Sequence, residues 1–197
     1  MKIIGITGGI GSGKSLVLNR LKEKYNAHIV EADKVAHFLQ MKGQPVYNSI
    51  VENFSSSVLN DDGDIDRQKL GKIVTDNKEK LEQLNKIVHP AVKEYILKDI
   101  EEAKKNGTDL YVIEAALLIQ DGYKEICDEL WCITADIKIR VKRLIENRGY
   151  SEEKAKAFIM NQPDEEFYIK NSDRVIYNDS DEGTLFLMID KWYDTIK

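Results

Sequence analysis

The residues best suited to chemistry stand close to the start of the chain. Gly8-Gly9-Ile10-Gly11-Ser12-Gly13-Lys14-Ser15 fits the phosphate-loop pattern G-x-x-x-x-G-K-[ST]. Glycines at this density let a backbone curl until successive N–H groups converge on one phosphate. A helix beginning near Gly13 adds its positive end to the same point. Lys14 then reaches the β- and γ-phosphates, and Ser15 offers its hydroxyl to Mg²⁺. Gly9, Gly11, Ser12 and Gly13 complete the cradle. The chemistry this predicts is binding of a nucleoside triphosphate and transfer of a phosphoryl group from it.

The loop alone does not separate a kinase from a switch GTPase or an ATPase motor. A guanine reader carries Asn-Lys-x-Asp, and the nearest string here, Asn77-Lys78-Glu79-Lys80, lacks the aspartate. Two carboxylates are candidates for further roles. Glu114 ends an apolar strand, where it can assist Mg²⁺ or its water shell or serve as an ordinary strand-end glutamate. Asp33 ends a second strand. Ligands of open parallel sheets lie beyond the carboxyl ends of the strands, so a carboxylate there can take a proton from an attacking hydroxyl; it can equally cap the helix that follows. The histidines 28, 37 and 89 lack metal-ligand spacing, and Cys127 and Cys132 read as reduced thiols in or beside a buried strand.

Elements of the right kind surround these residues. Lys2–Thr7 is an isoleucine-rich run that reads as a buried parallel strand, and Lys14–Lys24 as an amphipathic helix. His28–Ala32, Leu110–Glu114, Glu129–Thr134 and Arg174–Tyr177 read as further strands. Between them lie helical patterns: one capped by Asp33, then Val46–Phe54, Asp66–Val74, Asn77–Val88, Ala91–Lys105, Asp136–Asn147, Ser151–Asn161 and Glu182–Ile196. Pro90 is expected to interrupt the long run at His89. Strands alternating with helices indicate an α/β fold with a mainly parallel sheet. Residues 34–105 contain no obvious strand and look like a helical insertion.

The chain has 197 residues, 42% hydrophobic and 32% charged, with a net charge of −5. A sizeable core is possible, and the acidic balance speaks against nucleic-acid binding. The first residues lack a secretion signal's apolar stretch, and no apolar run approaches the ~20 residues that span a bilayer. The expectation is a soluble cytoplasmic protein without membrane or nucleic-acid partners, most simply a monomer.

Taken in order, these pieces resemble the dephospho-coenzyme A kinase family over nearly the full length. The resemblance runs through Ile6–Ser15, Ala32-Asp33, Gly63-Asp64-Ile65-Asp66-Arg67 and Leu84-Asn85-Lys86-Ile87-Val88-His89-Pro90. It continues through Leu117-Leu118, Arg143-Leu144 and Gln162 to Asp173-Arg174-Val175-Ile176 and Asn178. It implies an α/β, P-loop kinase-like three-layer fold with a parallel five-stranded sheet, a helical acceptor-binding insertion and a helical lid. The core would comprise 1–33, 106–135 and 163–197, the insertion 34–105 and the lid 136–162. It implies transfer of phosphate from ATP, with Mg²⁺, to the ribose 3′-hydroxyl of dephospho-coenzyme A. Asp33 matches the general base; Asp33, His89, Arg67 and Glu114 fall on the acceptor side. Arg140, Arg143 and Arg148 belong to the lid, where guanidinium groups stabilise the transferring phosphoryl. Asn178 matches an adenine-contacting loop.

The chain also departs from the family. Leu16 replaces a threonine; by the resemblance it keeps a backbone N–H for the nucleotide but loses a hydroxyl for the α-phosphate. Glu114-Ala115-Ala116-Leu117-Leu118-Ile119-Gln120 replaces Asp-x-Pro-Leu-Leu-x-Glu. Glu31 replaces an aspartate, and Asp179 stands where glycine commonly follows the asparagine. Asn147 stands where a lid arginine is expected, with Arg148 displaced by one residue, about 100° around a helix. Gly149 suggests that the helix ends there. A kinase for another small hydroxyl compound and a nucleotide-sensing ATPase are the alternative readings.

Overall fold

The computed structural model describes residues 1–196; Lys197, the last residue assigned above to the core, lies outside them. The strands β1 (Lys2–Thr7), β2 (His28–Glu31), β3 (Leu110–Glu114), β4 (Glu129–Thr134) and β5 (Arg174–Tyr177) form one sheet in the order β2-β3-β1-β4-β5. β1 runs parallel to β3, with Ile4 opposite Val112, and parallel to β4, with Ile6 opposite Trp131. β4 runs parallel to β5. Nearly every residue of β1, β3 and β4 is buried whichever way its side chain points. That is why these strands read as continuous apolar runs and not as alternating ones.

Two aspartates pin the register at the amino ends of strands. The Asp128 carboxylate accepts from the Ile3 N–H at 2.7 Å, and the Asp128 N–H donates to the Ile3 carbonyl at 2.8 Å. Asp173 repeats both contacts on Leu130, each at 2.8 Å. A slip of one residue would leave all four groups unpaired, so the cost is high in a buried sheet.

The chain forms two compact units, one of Met1–Ile29 together with the chain from Ala103 onward, the other of Val30–Glu102. In the first, α1 (Lys14–Tyr25) and α9 (Glu182–Ile196) cover one sheet face. Val17, Leu18 and Leu21 of α1 and Leu185, Ile189 and Tyr193 of α9 pack on Ile4, Ile6, Val112, Trp131 and Ile133. Asp190 of α9 locks the two helices through Arg20 (2.6 Å), Lys24 (2.8 Å) and Tyr25 (2.7 Å). The opposite face is closed over Gly5, where a Cβ would meet Leu118, Cys127 and Leu130. Helices α6 (Ile137–Arg148) and α7 (Glu152–Met160) pack on one another through Val141, Leu144, Ala155 and Ile159, and α8 (Glu165–Lys170) follows.

The second unit is helical: α2 (Ala32–Leu39), α3 (Pro45–Phe54), α4 (Arg67–Thr75) and most of α5 (Lys78–Lys105). Apart from Val30 and Glu31, which belong to β2, its extended pairing among the described residues is one antiparallel bridge, Leu59 to Ile65, around the Asn60–Asp64 turn. No helix among the described residues is long and apolar enough to cross a membrane.

Two local expectations need correcting, and one helix was not foreseen. Pro90 does not divide the long helix; α5 runs through it. Pro90 is exposed, so water can satisfy the carbonyl that its missing N–H leaves unpaired. Asp33 does not cap α2, which begins at Ala32 with Glu31 in the cap position and no side-chain cap bond. Asp33 lies in the first turn, where a carboxylate suits the helix dipole. Residues 165–170 form α8, capped by the Asp164 carboxylate on the Phe167 N–H, an element too short for its periodicity to be read.

Candidate active site

The phosphate loop joins β1 to α1. Gly13 has φ of 97°, a left-handed conformation, and a Cβ there would lie 2.1 Å from Asn178 Nδ2. Only glycine meets both demands. Lys14 turns back over the loop, its Nζ 2.8 Å from the Gly8 carbonyl and 3.7 Å from Glu114 Oε1. Glu114 is therefore not a surface strand end; its side chain is 13% exposed and faces the lysine of the loop. Ser15 is exposed at the start of α1. Leu16 turns its side chain against the sheet core and leaves only its backbone at the loop.

The three lid arginines separate. Arg140 is 8% exposed, and its Nε donates to the Ile10 carbonyl at 2.9 Å. Gly9 passes so close to its guanidinium that a Cβ would meet it at 2.1 Å. Burial pushes the Arg140 pKa down, and Glu165 opposes that shift. Arg143 donates to the carbonyls of Ser12 at 3.3 Å and Asn178 at 2.9 Å. Both arginines thus engage the loop through its carbonyls. Arg148 ends α6, as Gly149 in the left-handed region requires, and is exposed with no side-chain partner among the described residues. Asn178 is 3% exposed; its Nδ2 donates to the Ser12 carbonyl at 2.8 Å and its N–H to the Thr134 carbonyl at 2.8 Å.

Sequence reasoning gave no role to Gln162, which accepts the Ile10 N–H at 2.7 Å, nor to Thr134 and Glu165, which are hydrogen-bonded at 2.6 Å. Only the resemblance marked Gln162. No local pattern connects positions 152 residues apart.

The loop fits a triphosphate. Its carbonyls are occupied by Lys14, Arg140, Arg143 and Asn178. The N–H groups of Gly11, Gly13 and Ser15 have no protein partner among the described residues. Ser12 Oγ is buried without a partner as well. Buried or half-buried donors are seldom left unpaired without a ligand or water to take them. Mg²⁺ keeps most of its waters and binds chiefly through phosphate with one or two protein oxygens; the exposed Ser15 hydroxyl and the Glu114 carboxylate suit that role. Cys127 and Cys132 are free thiols whose pKa values burial pushes up to about 12, so neither is a nucleophile at neutral pH.

In the helical unit, Asp33 and Arg67 line one open cleft of about 410 Å³, together with Ala36, His37, Gln40 and Leu70. Both are exposed, and neither is tied up by a side-chain hydrogen bond or ion pair among the described residues. Asp66 fixes the start of α4 by accepting from the Gln68 and Lys69 N–H groups, which places Arg67 at its first position. His89 is half-buried on α5, five residues past the cleft residue Leu84, and does not line the cleft.

The dephospho-CoA kinase family profile matches residues 2–183. A dephospho-CoA kinase from Bacillus cereus is 41% identical over 177 residues, covering 90% of this chain and 88% of its own. One from Carboxydothermus hydrogenoformans is 37% identical over 196 residues, covering 98% and 95%. Among solved structures, a dephospho-CoA kinase from Campylobacter jejuni superposes with a TM-score of 0.73 at 27% identity, over 100% of this chain and 98% of that one. A phosphate loop with unspent donors, a parallel sheet that carries it and full-length similarity lead to one statement: the chain belongs to the dephospho-CoA kinase family.

Proposed function

We propose that the protein transfers the γ-phosphoryl of ATP to the ribose 3′-hydroxyl of dephospho-coenzyme A, yielding coenzyme A and ADP. The observation that carries this is the phosphate loop with its carbonyls occupied and its Gly11, Gly13 and Ser15 N–H groups unspent. Such a loop stabilises negative charge without reorganising when charge moves in the transition state.

In the reaction the acceptor oxygen forms a bond to the γ-phosphorus as the bond to the β–γ bridging oxygen breaks. Asp33 accepts the hydroxyl proton. Lys14 follows the charge on the β- and γ-phosphates, and Arg148, the unpartnered guanidinium of the lid segment, meets the transferring group. Arg140 and Arg143 act by placement, holding the loop through its carbonyls. Arg67 and His89 belong to acceptor binding, Arg67 beside Asp33 in its cleft and His89 farther along α5. Asn178 shapes the floor under the adenine-side loop. Ser15, and through water Glu114, would hold Mg²⁺, which would supply neutralisation of the phosphate charge. Functionally the chain divides into a core of 1–33, 106–135 and 163–197, an acceptor-binding insertion of 34–105 and a lid of 136–162. It acts as a cytoplasmic monomer.

The test is Asp33→Asn. Incubation with ATP, Mg²⁺ and dephospho-coenzyme A, read by mass spectrometry, is expected to show product for the wild type. The variant is expected to lose about 100-fold or more of that turnover, the usual contribution of a positioned base, while ATP affinity is unchanged. Undiminished turnover in the variant removes the base assignment, and no product from the wild type removes the acceptor assignment.

A further inference from the structure

Ile10 sits at the apex of the phosphate loop and is gripped three ways by the segment that follows β4. Its side chain packs on the cluster of Val141, Leu144, Ala155 and Ile159 between α6 and α7. Its carbonyl accepts from Arg140 Nε at 2.9 Å. Its N–H donates to Gln162 Oε1 at 2.7 Å. The same oxygen accepts from Arg140 Nη2 at 3.4 Å, which ties the two clamps together. Two donors facing one atom fix the amide orientation, because the NH₂ end could accept neither. The corner that carries Gln162 is itself set: its N–H donates to the Ile159 carbonyl at 3.3 Å at the end of α7, and Pro163 follows.

We propose that Gln162 is a positioning residue for the phosphate loop. By taking the Ile10 N–H, it sets the orientation of the peptide from which the chain turns through Gly11 to Ser15. It thereby keeps the unspent N–H groups of Gly11, Gly13 and Ser15 converged on one phosphate site. It does not touch the reacting atoms. A loop rich in glycine has many backbone conformations of similar energy, and without a fixed apex only part of the population presents the donors. Affinity for the triphosphate then falls by that fraction. The inference rests on the reading of this loop as the ATP site and adds to it a residue outside the loop that determines how well the site is formed.

Three proteins test it: the wild type, Gln162→Leu, which keeps the volume but has no acceptor, and Gln162→Glu, which keeps an oxygen in place beside Arg140. ATP dissociation constants are measured by calorimetry without acceptor, KM values for both substrates from initial rates, and melting temperatures alongside. Gln162→Leu is expected to weaken ATP binding and raise the ATP KM about tenfold, the cost of one unsatisfied, partly buried donor. The KM for dephospho-coenzyme A and the melting temperature are expected to move little. Gln162→Glu is expected to recover ATP binding to within about threefold, since one acceptor replaces another. Wild-type affinity in Gln162→Leu would overturn the proposal. So would equal rises in both KM values with a lower melting temperature, or a Gln162→Glu variant as weak as Gln162→Leu. Should the wild type bind ATP but leave dephospho-coenzyme A unphosphorylated, the acceptor assignment fails and the calorimetric comparison still decides the role of Gln162.

Discussion

Single residues around the phosphate loop divide into those that face a ligand and those that hold the loop from outside. Lys14, Ser15 and the N–H groups of Gly11 and Gly13 are of the first kind; Arg140, Arg143, Asn178 and Gln162 are of the second. Leu16 belongs to neither, because its side chain packs on the sheet core. A hydroxyl in its place would therefore cost packing as well as add a polar group. Leu16→Thr is expected to leave ATP affinity within about twofold while lowering stability by about 1 kcal/mol, the loss for a partly buried aliphatic side chain. The Leu16 N–H already donates to the Gly13 carbonyl at 3.0 Å. Calorimetry and thermal melting check the two effects separately, and a marked gain in ATP affinity would show that a hydroxyl at this position reaches the phosphates. The motif from Gly8 to Ser15 was legible because its spacing is local. Glu114 was ambiguous, since only the pairing of β1 with β3 brings it to Lys14.

Among elements, the pairing of α1 with α9 has the clearest electrostatic signature. Hydrogen bonds from Arg20, Lys24 and Tyr25 hold the Asp190 carboxyl below its ordinary range. Arg20 and Lys24 are held above theirs by the same hydrogen bonds. A depressed carboxylate stabilises the fold above its unfolded pKa of about 3.9, and this contribution is lost as pH falls through the folded value. Asp190→Asn is expected to lower the melting temperature at pH 7 by roughly 2–4 °C, a typical shift for one interaction in a chain of this length. Melting curves from pH 7 to pH 2.5 should show the gap between variant and wild type begin to narrow once the pH drops below about 3.9. A gap independent of pH would mean that Asp190 acts by shape alone. Most elements followed from periodicity and caps: Asp136 and Ser151 cap α6 and α7 through the Lys138 and Lys154 N–H groups. Pro90 misled because a proline removes one hydrogen bond of the ladder without obliging the helix to end, and here the ring lies on an exposed side where water can take the freed carbonyl.

At the scale of the whole molecule, phosphoryl transfer must be coupled to the acceptor. A loop whose donors stand ready for the γ-phosphate can also activate it toward water. Segments that close over the phosphates are the usual means of excluding water until the acceptor is bound. ATP consumption without dephospho-coenzyme A is therefore expected to be at least about 100-fold slower than with it, as measured by a coupled ADP assay. Equal rates would favour an ATPase over a kinase.

The sequence by itself determined the phosphate loop, the parallel α/β order of elements, the helical stretch after β2 and the family. Each is written in neighbouring residues or in a repeating period, and short-range sterics and amphipathicity decide such features. Tertiary structure alone decided the roles of Arg140, Arg143, Asn178 and Gln162. These side chains reach Ile10 and Ser12 from positions more than one hundred residues away, and no local propensity encodes which backbone group a distant side chain will meet. The phosphate loop is specified by its glycines, yet its shape is held by side chains from residues 140–178, far along the chain.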